Sequence, residues 1–218
     1  MLYIVSTPIG NLKDITLRAL ETLKSVDIIA AEDTRHTKNL LSHYEISTPL
    51  TSYFSHNEGA KTQLLIKQLK EGKKVALVSD AGTPGISDPG YVLIKNAIDE
   101  GIPMTVVPGA CAAICALTLS GLPAHEFVFF GFLPVKSGAR RKKIEEAVSL
   151  ERTVIMYESP HRILKTLEDM KDVLGDKPFT VTRELTKTFE ESRRATAQQH
   201  IEHFTKHPPK GEFVLLLN

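Results

Sequence analysis

Val75-Ala76-Leu77-Val78-Ser79-Asp80-Ala81-Gly82-Thr83-Pro84-Gly85-Ile86-Ser87-Asp88-Pro89-Gly90 runs from four apolar residues into a loop of glycine, proline and aspartate. Four apolar positions without polar alternation read as a strand buried on both faces. Leu93, Ala97 and Ile98 then recur at helical spacing, and Gly101 closes that helix. Met104 to Val107 forms another buried strand, ending at Pro108-Gly109. Strand, loop, helix and strand in this order predict a parallel sheet covered on both faces.

The same alternation extends in both directions. Upstream, Tyr3 to Val5 is a strand that stops at Ser6-Thr7-Pro8-Ile9-Gly10, and Leu17, Leu20 and Leu23 mark a helix. Val26 to Ala30 and Leu50 to Tyr53 read as strands, and Gln63 to Lys70 reads as a helix. Downstream, the strands fall at Phe127–Phe132, Thr153–Tyr157, Phe179–Arg183 and Phe213–Leu217. Helices over Arg140–Leu150, Ile163–Leu174 and Thr196–Thr205 separate them. Ser120-Gly121-Leu122-Pro123 breaks the pattern, so two α/β lobes are expected, residues 1–121 and 122–218, with a cleft between them.

The chain has 218 residues, 42% hydrophobic and 24% charged, enough apolar material for sizeable cores. Lys plus Arg is 27 and Asp plus Glu is 26, a net charge of +1, so any nucleic-acid contact must come from a local patch. Cys111 and Cys115, four apart in an Ala-rich stretch, form neither a disulfide framework nor a zinc spacing; two small buried residues on a helix are expected. No metal site is expected. The apolar runs are too short to span a bilayer, and the start lacks the regions of a signal peptide, so a cytoplasmic protein is expected.

Three first-lobe strands end in Gly/Pro-rich loops: Thr7 to Gly10, Asp80 to Gly90, and Pro108-Gly109-Ala110. In open α/β sheets, ligands bind beyond the carboxyl ends of the strands. Glycine there lets the backbone approach a ligand, and proline stiffens the approach. Neither a P-loop nor a G-x-G-x-x-G fingerprint is present, which disfavours nucleoside triphosphates and dinucleotides. Asp80, at a strand end, can accept from a ligand hydroxyl or ammonium. Asp88 is expected to cap the helix that starts near Gly90.

Longer blocks carry a resemblance. Ser6 to Thr16, Ala31-Glu32-Asp33-Thr34-Arg35, the Asp80 loop, Tyr157-Glu158-Ser159-Pro160-His161-Arg162, Arg183-Glu184-Leu185-Thr186-Lys187 and Gly211-Glu212-Phe213 lie in order from the first strand to the last. Together they resemble the ribosomal RNA small subunit methyltransferase I family, of the tetrapyrrole methylase fold. The resemblance implies an S-adenosylmethionine-dependent enzyme that methylates the ribose 2′-hydroxyl of a cytidine in the decoding region of small-subunit (16S) ribosomal RNA. It implies two α/β/α lobes, a cofactor in the cleft between them, a homodimer, and the ribosomal RNA or assembled 30S subunit as partner. Members often continue into a short helical segment beyond the point matching Leu217-Asn218.

Carried over by residue, the resemblance places cofactor contacts at Pro8, Gly10, Asp80, Gly82, Ile86, Ala110, Cys111 and Ala112. From the second lobe it adds Met156, Tyr157, Leu185, Gly211 and Glu212. A ribose hydroxyl is a poor nucleophile at neutral pH and needs a proton acceptor. Glu32, Asp33, Glu58, Glu158 and Glu184 all lie on the relevant loops; Asp33 with Arg35 is the first choice as acceptor and orienting pair, Glu184 the second, and His56 a proton shuttle.

Lys136, Arg140, Arg141, Lys142 and Lys143 form a basic run just after a strand end, although Glu145 and Glu146 follow it. The run is expected to contact phosphates, with Arg162 and Lys187 extending the track. Two other functions compete with this one: carbon methylation of a tetrapyrrole, and a non-catalytic RNA-binding module. The basic run and the Asp33 and His161 blocks disfavour the first. Three Gly/Pro loops at one sheet edge disfavour the second.

Overall fold

The computed structural model describes residues 1–218. The chain divides into two compact units, Met1–Cys111 and Ala112–Asn218.

In the first unit, β1 (Leu2–Val5), β2 (Ile28–Ala31), β3 (Leu50–Ser52), β4 (Val75–Val78) and β5 (Met104–Val107) form one sheet in the order β3-β2-β4-β1-β5. Every pairing is parallel. Successive strand side chains point to opposite faces. Val75 and Leu77 therefore pack with Leu65, Leu69, Leu93 and Ala97, from α3 (Glu58–Lys70) and α4 (Tyr91–Asp99). Ala76 and Val78 pack on the other side with Ala19, Leu23 and Leu41, from α1 (Leu17–Ser25) and α2 (Thr34–His43). Burial on both faces explains why β4 has no polar residue. Each large aliphatic side chain so enclosed contributes about 1.5–3 kcal/mol.

The two helix layers also locate the functional edge. The chain leaves β1 toward the α1/α2 face and leaves β4 toward the α3/α4 face. The loops after these adjacent strands therefore diverge, making a topological switch point between them.

Helix α2 was not legible beforehand, because its core contacts reduce to Thr37, Leu40 and Leu41. The Gly90 N–H is accepted by Glu58 Oε1 at 3.1 Å, so a carboxylate from α3 reaches the start of α4.

The second unit contains α5 (Ala112–Ser120), β6 (Phe127–Phe132), α6 (Ser137–Ser149), β7 (Thr153–Glu158), α7 (Ile163–Leu174), β8 (Phe179–Arg183), β9 (Glu191–Ala195), α8 (Ala197–Lys206) and β10 (Phe213–Leu217). Its sheet order is β6-β7-β10-β8-β9. Only β6 and β7 run parallel; β10 is antiparallel to β7 and β8, and β9 to β8. The alternation of strand and helix is thus kept while the sheet is mixed. Met156, Phe179, Val181, Phe213 and Leu215 meet Ile144, Leu167, Met170 and Phe204 of α6, α7 and α8 in one core. Strand β9, Glu-Ser-Arg-Arg-Ala, has no apolar run to reveal it and forms the sheet edge.

Helix α5 packs against β7, β9 and β10, so the division falls at 111/112 rather than at the expected 121/122. Cys111 precedes α5 and Cys115 lies within it. Both are half-buried rather than enclosed.

Candidate functional site

The loops after β1, β4 and β5 are tied into one surface. Thr7 and Gly82 exchange backbone hydrogen bonds at 2.9 and 3.1 Å, an antiparallel bridge at the β1/β4 switch point. The Thr83 hydroxyl donates to Ala110 O at 3.3 Å and lies 2.9 Å from Ser6 Oγ. The Thr7 hydroxyl donates to Ser79 O at 3.1 Å. A Cβ at Gly109 would stand 2.9 Å from Ser6 Cβ, so only glycine admits this approach. Pro8 and Gly82 are buried, Gly10 is exposed, and Ile86 presents an open apolar side chain at 42% exposure. Four expected residues, Pro8, Gly82, Ile86 and Ala110, therefore converge with Asp80 on one loop cluster. Ser6 was not anticipated, and Thr83 only as part of the Asp80 loop. A hydroxyl pair 77 positions apart leaves no local sequence signal.

Beside this cluster lies a group of acids. Asp80 Oδ1 accepts the Asp33 N–H at 2.9 Å, and Glu32 Oε2 lies 3.5 Å from the Asp80 N–H. Asp33 is the N-cap of α2: its Oδ1 accepts the Arg35 N–H at 2.8 Å, and the Arg35 guanidinium closes on the same carboxylate at 2.8 Å. The hydrogen bonds from the Arg35 side chain and backbone hold Asp33 at about 2. So acidic a group accepts hydrogen bonds but is a weak base, which supports the orienting part of the expected role and argues against the proton-accepting part. Glu32 is shifted the other way, raised first by burial and then by the charge of Asp80. His56 is exposed, its ring 6.4 Å from that of Phe54, and no contact places it with these acids.

In the second unit, the turns before β10 and after β8 close on each other. Glu184 N–H donates to Glu212 O at 3.2 Å, and the Lys187 ammonium meets Glu184 Oε1 at 2.9 Å. Glu184 has φ +50° and Gly211 φ +77°. This engaged carboxylate does not stand open as a base. Leu185, Gly211 and Glu212 are brought together as expected, with Leu185 buried. Tyr157 accepts the Ala113 N–H at 3.1 Å, next to Ala112, and its ring is met edge-on by Phe129 and Phe132. Met156 alternates to the other face and is enclosed in the core, so its side chain cannot reach a ligand.

The basic run needs the largest correction. Arg140 is 4% exposed. Its Nε donates to Asp169 Oδ2 at 2.7 Å and its Nη1 to Val135 O at 3.0 Å. Arg141 pairs with Asp169 and Asp172 at 2.8 and 2.6 Å. Lys143 meets Glu146 and lies 3.9 Å over the Phe130 ring. Arg162 Nη2 donates to Leu133 O, and its Nε stands 3.3 Å from buried Glu158, within ion-pair reach but off hydrogen-bond geometry. Arg140 and Arg162 thus hold the β6–α6 turn, and Lys187 holds Glu184. Lys136 and Lys142 remain exposed and outside any ion pair. Sequence spacing marks charge density but not which charges the fold itself consumes.

No helix is long and apolar enough to cross a membrane. No group of three or more His, Cys, Asp or Glu side chains is arranged to hold a metal ion.

Residues 1–200 match the family of tetrapyrrole (corrin/porphyrin) methylases. The chain is 51% identical over 216 residues to the ribosomal RNA small subunit methyltransferase I of Halalkalibacterium halodurans, covering 99% of this chain and 75% of that protein. The chain belongs to the ribosomal RNA small subunit methyltransferase I family. The resemblance read from the loop blocks is therefore correct, and the protein is a methyltransferase. Among solved structures, this family member is similar to a diphthine synthase at a TM-score of 0.77 and 14% identity, covering 99% of this chain and 88% of that one. It is also similar to the uroporphyrin-III C-methyltransferase of Thermus thermophilus complexed with S-adenyl homocysteine, at a TM-score of 0.66 and 18% identity, covering 98% and 96%. At these identities the likeness concerns the fold.

Proposed function

We propose that this chain transfers a methyl group from S-adenosylmethionine to the ribose 2′-hydroxyl of a cytidine in the decoding region of small-subunit ribosomal RNA. The observation that carries this reading is the single backbone-lined surface made by the loops after β1, β4 and β5, in a chain half-identical along its length to a small-subunit ribosomal RNA methyltransferase. We place the protein in the cytoplasm, as a homodimer.

The residues fit a small folded cofactor. Gly82 and Gly109 let the three loops close on one another, Ile86 offers an apolar face, and Asp80 supplies a carboxylate. Pro8, Gly10, Ala110, Cys111 and Ala112 would complete the first set of contacts, and Tyr157, Leu185, Gly211 and Glu212 the second. When bound, S-adenosylmethionine supplies a methyl group on a positively charged sulfur. The chain must align the acceptor oxygen and take up its proton. The Thr83 hydroxyl, joining two loops, sets the alignment. Glu32, whose affinity for a proton is raised, is better suited to accept it than Asp33. Asp33 and Arg35 orient, and Lys136 and Lys142 carry the phosphate contact first assigned to the whole basic run. The acceptor is inferred from the full-length identity, not from the fold, which tetrapyrrole-modifying enzymes share.

The test is transfer of labelled methyl from S-adenosylmethionine to unmodified small ribosomal subunits, with nuclease mapping. Label on one ribose near the decoding site is expected. Cofactor binding without label on the RNA would overturn the acceptor, and absence of both would overturn the enzyme.

A further inference from the structure

A cationic feature lies away from the loop cluster, at the free edge of the second sheet. Arg193 of β9 and Gln199, Glu202, His203, Lys206 and His207 line an open cavity of about 300 Å³. Two buried nitrogens on its wall, Arg193 Nε and His203 Nε2, have no hydrogen-bond partner. An unpaired buried donor is destabilising by about 1–3 kcal/mol and seldom persists unless something satisfies it.

The neighbouring acids leave Arg193 unanswered and meet His203 through charge alone. Glu191 accepts from Arg183 Nε at 2.6 Å, and its other oxygen stands 2.8 Å from His203 Nε2 at ion-pair distance but off hydrogen-bond geometry. Glu202 accepts from Gln198 at 2.8 Å. No carboxylate lies within ion-pair distance of Arg193 or Lys206. Arg193 owes its position to register: paired with Val181, it faces α8, while Arg194 alternates to the other side of β9. Edge strands with charged residues resist pairing with other strands, so an arginine-bearing edge stays available.

We infer that this cavity is a phosphate-binding subsite that seats one backbone phosphate of the RNA acceptor, with Arg193 and Lys206 as the charged donors and His203 and His207 as further donors. The inference rests on the RNA reading above. It adds a phosphate contact at the β9/α8 edge to that of Lys136 and Lys142, since the arginines of α6 are engaged in ion pairs.

The experiment measures binding of the full chain to a small-subunit ribosomal RNA fragment across a salt series. Wild type is compared with Arg193→Gln and with the double variant Lys206→Gln/His207→Gln. Affinity is expected to fall about tenfold or more at low salt in each variant. The slope of log affinity against log salt should shrink by about 0.7–0.9 per lost phosphate contact. Because Lys206 and His207 are exposed, the double variant should keep its melting temperature even if Arg193→Gln does not. Wild-type affinity and slope in the double variant would overturn the subsite. Failure of wild type to bind RNA, with S-adenosylmethionine binding intact by calorimetry, would overturn the RNA reading itself. Stabilisation by inorganic phosphate that the double variant loses, with RNA affinity unchanged, would reassign the cavity to a free anion and overturn its RNA role.

Discussion

The side chain of Glu184 occupies the space above the α-carbon of Gly211: a Cβ built at 211 would fall 1.8 Å from Glu184 Oε1 and 2.2 Å from Cδ. The two residues lie 27 positions apart, yet each sets the other's conformation. Both have positive φ, and the Glu184 carboxylate is held in place by Lys187.

Gly211→Ala should therefore lower stability by about 1–3 kcal/mol, because alanine disfavours positive φ and must displace Glu184. Adding Glu184→Ala removes the collision but not the backbone strain. The double variant should be less destabilised than the sum of the two, measured by urea unfolding. Strict additivity would refute the steric account.

Arg140 and Lys142 stand two apart and should behave oppositely. Arg140→Met removes one of three partners of the buried Asp169 carboxylate, leaving Arg141 and Ser137, and frees the Val135 carbonyl it also held; burial pushes Asp169 up and the hydrogen bonds from Arg141, Ser137 and Arg140 pull it down by more. Losing a buried partner from a network that keeps its other members costs about 1–3 kcal/mol. Lys142→Met should change stability by less than about 0.5 kcal/mol. Chemical denaturation of both variants tests the pair, and equal effects would contradict the structure.

His200 is fully buried, with Nε2 lying 3.3 Å from Phe179 O and Nδ1 without a partner. Burial, above all, lowers it from 6.5 to about 4. The unfolded chain then binds a proton between these values that the folded chain refuses. Its contribution is complete above pH 6.5 and is lost as pH falls toward 4, up to about 3 kcal/mol. His200→Leu should flatten the stability–pH curve in this window, read by thermal unfolding at several pH values.

Glu32 and Asp33 are adjacent carboxylates in contrasting environments. If Glu32 takes up the ribose proton, Glu32→Gln should lower the methyl-transfer rate by about 10²- to 10⁴-fold. Asp33→Asn keeps an oxygen to cap α2 and should have the milder effect. Single-turnover rates with calorimetric cofactor binding separate catalysis from binding. The larger loss in Asp33→Asn would restore Asp33 as the acceptor.

Local features of the chain reached far into the fold. Apolar runs such as Val75–Val78 and Phe213–Leu217 marked their strands because burial on both faces excludes polar residues. Glycines and prolines after β1, β4 and β5 marked the loops that join into one cluster, because close approach of backbones needs that chemistry. The loop blocks were specific enough to disclose the family.

Other features depended on contacts between distant residues. Strand β9 and helix α2 are stabilised by edge pairing and capping rather than by apolar periodicity, and so gave no signal. The antiparallel setting of β10 follows from where the chain returns, not from its composition. Arg140 and Lys142 are both cations in one run, but only the packing of α6 against α7 buries one and leaves the other in water. Sequence by itself determined the apolar strands, the glycine- and proline-rich loops and the family, because those depend on residue type and local spacing. Which acids and bases are engaged, and which stand open to a ligand, was decided by tertiary structure, because burial and ion pairing depend on partners tens of residues away.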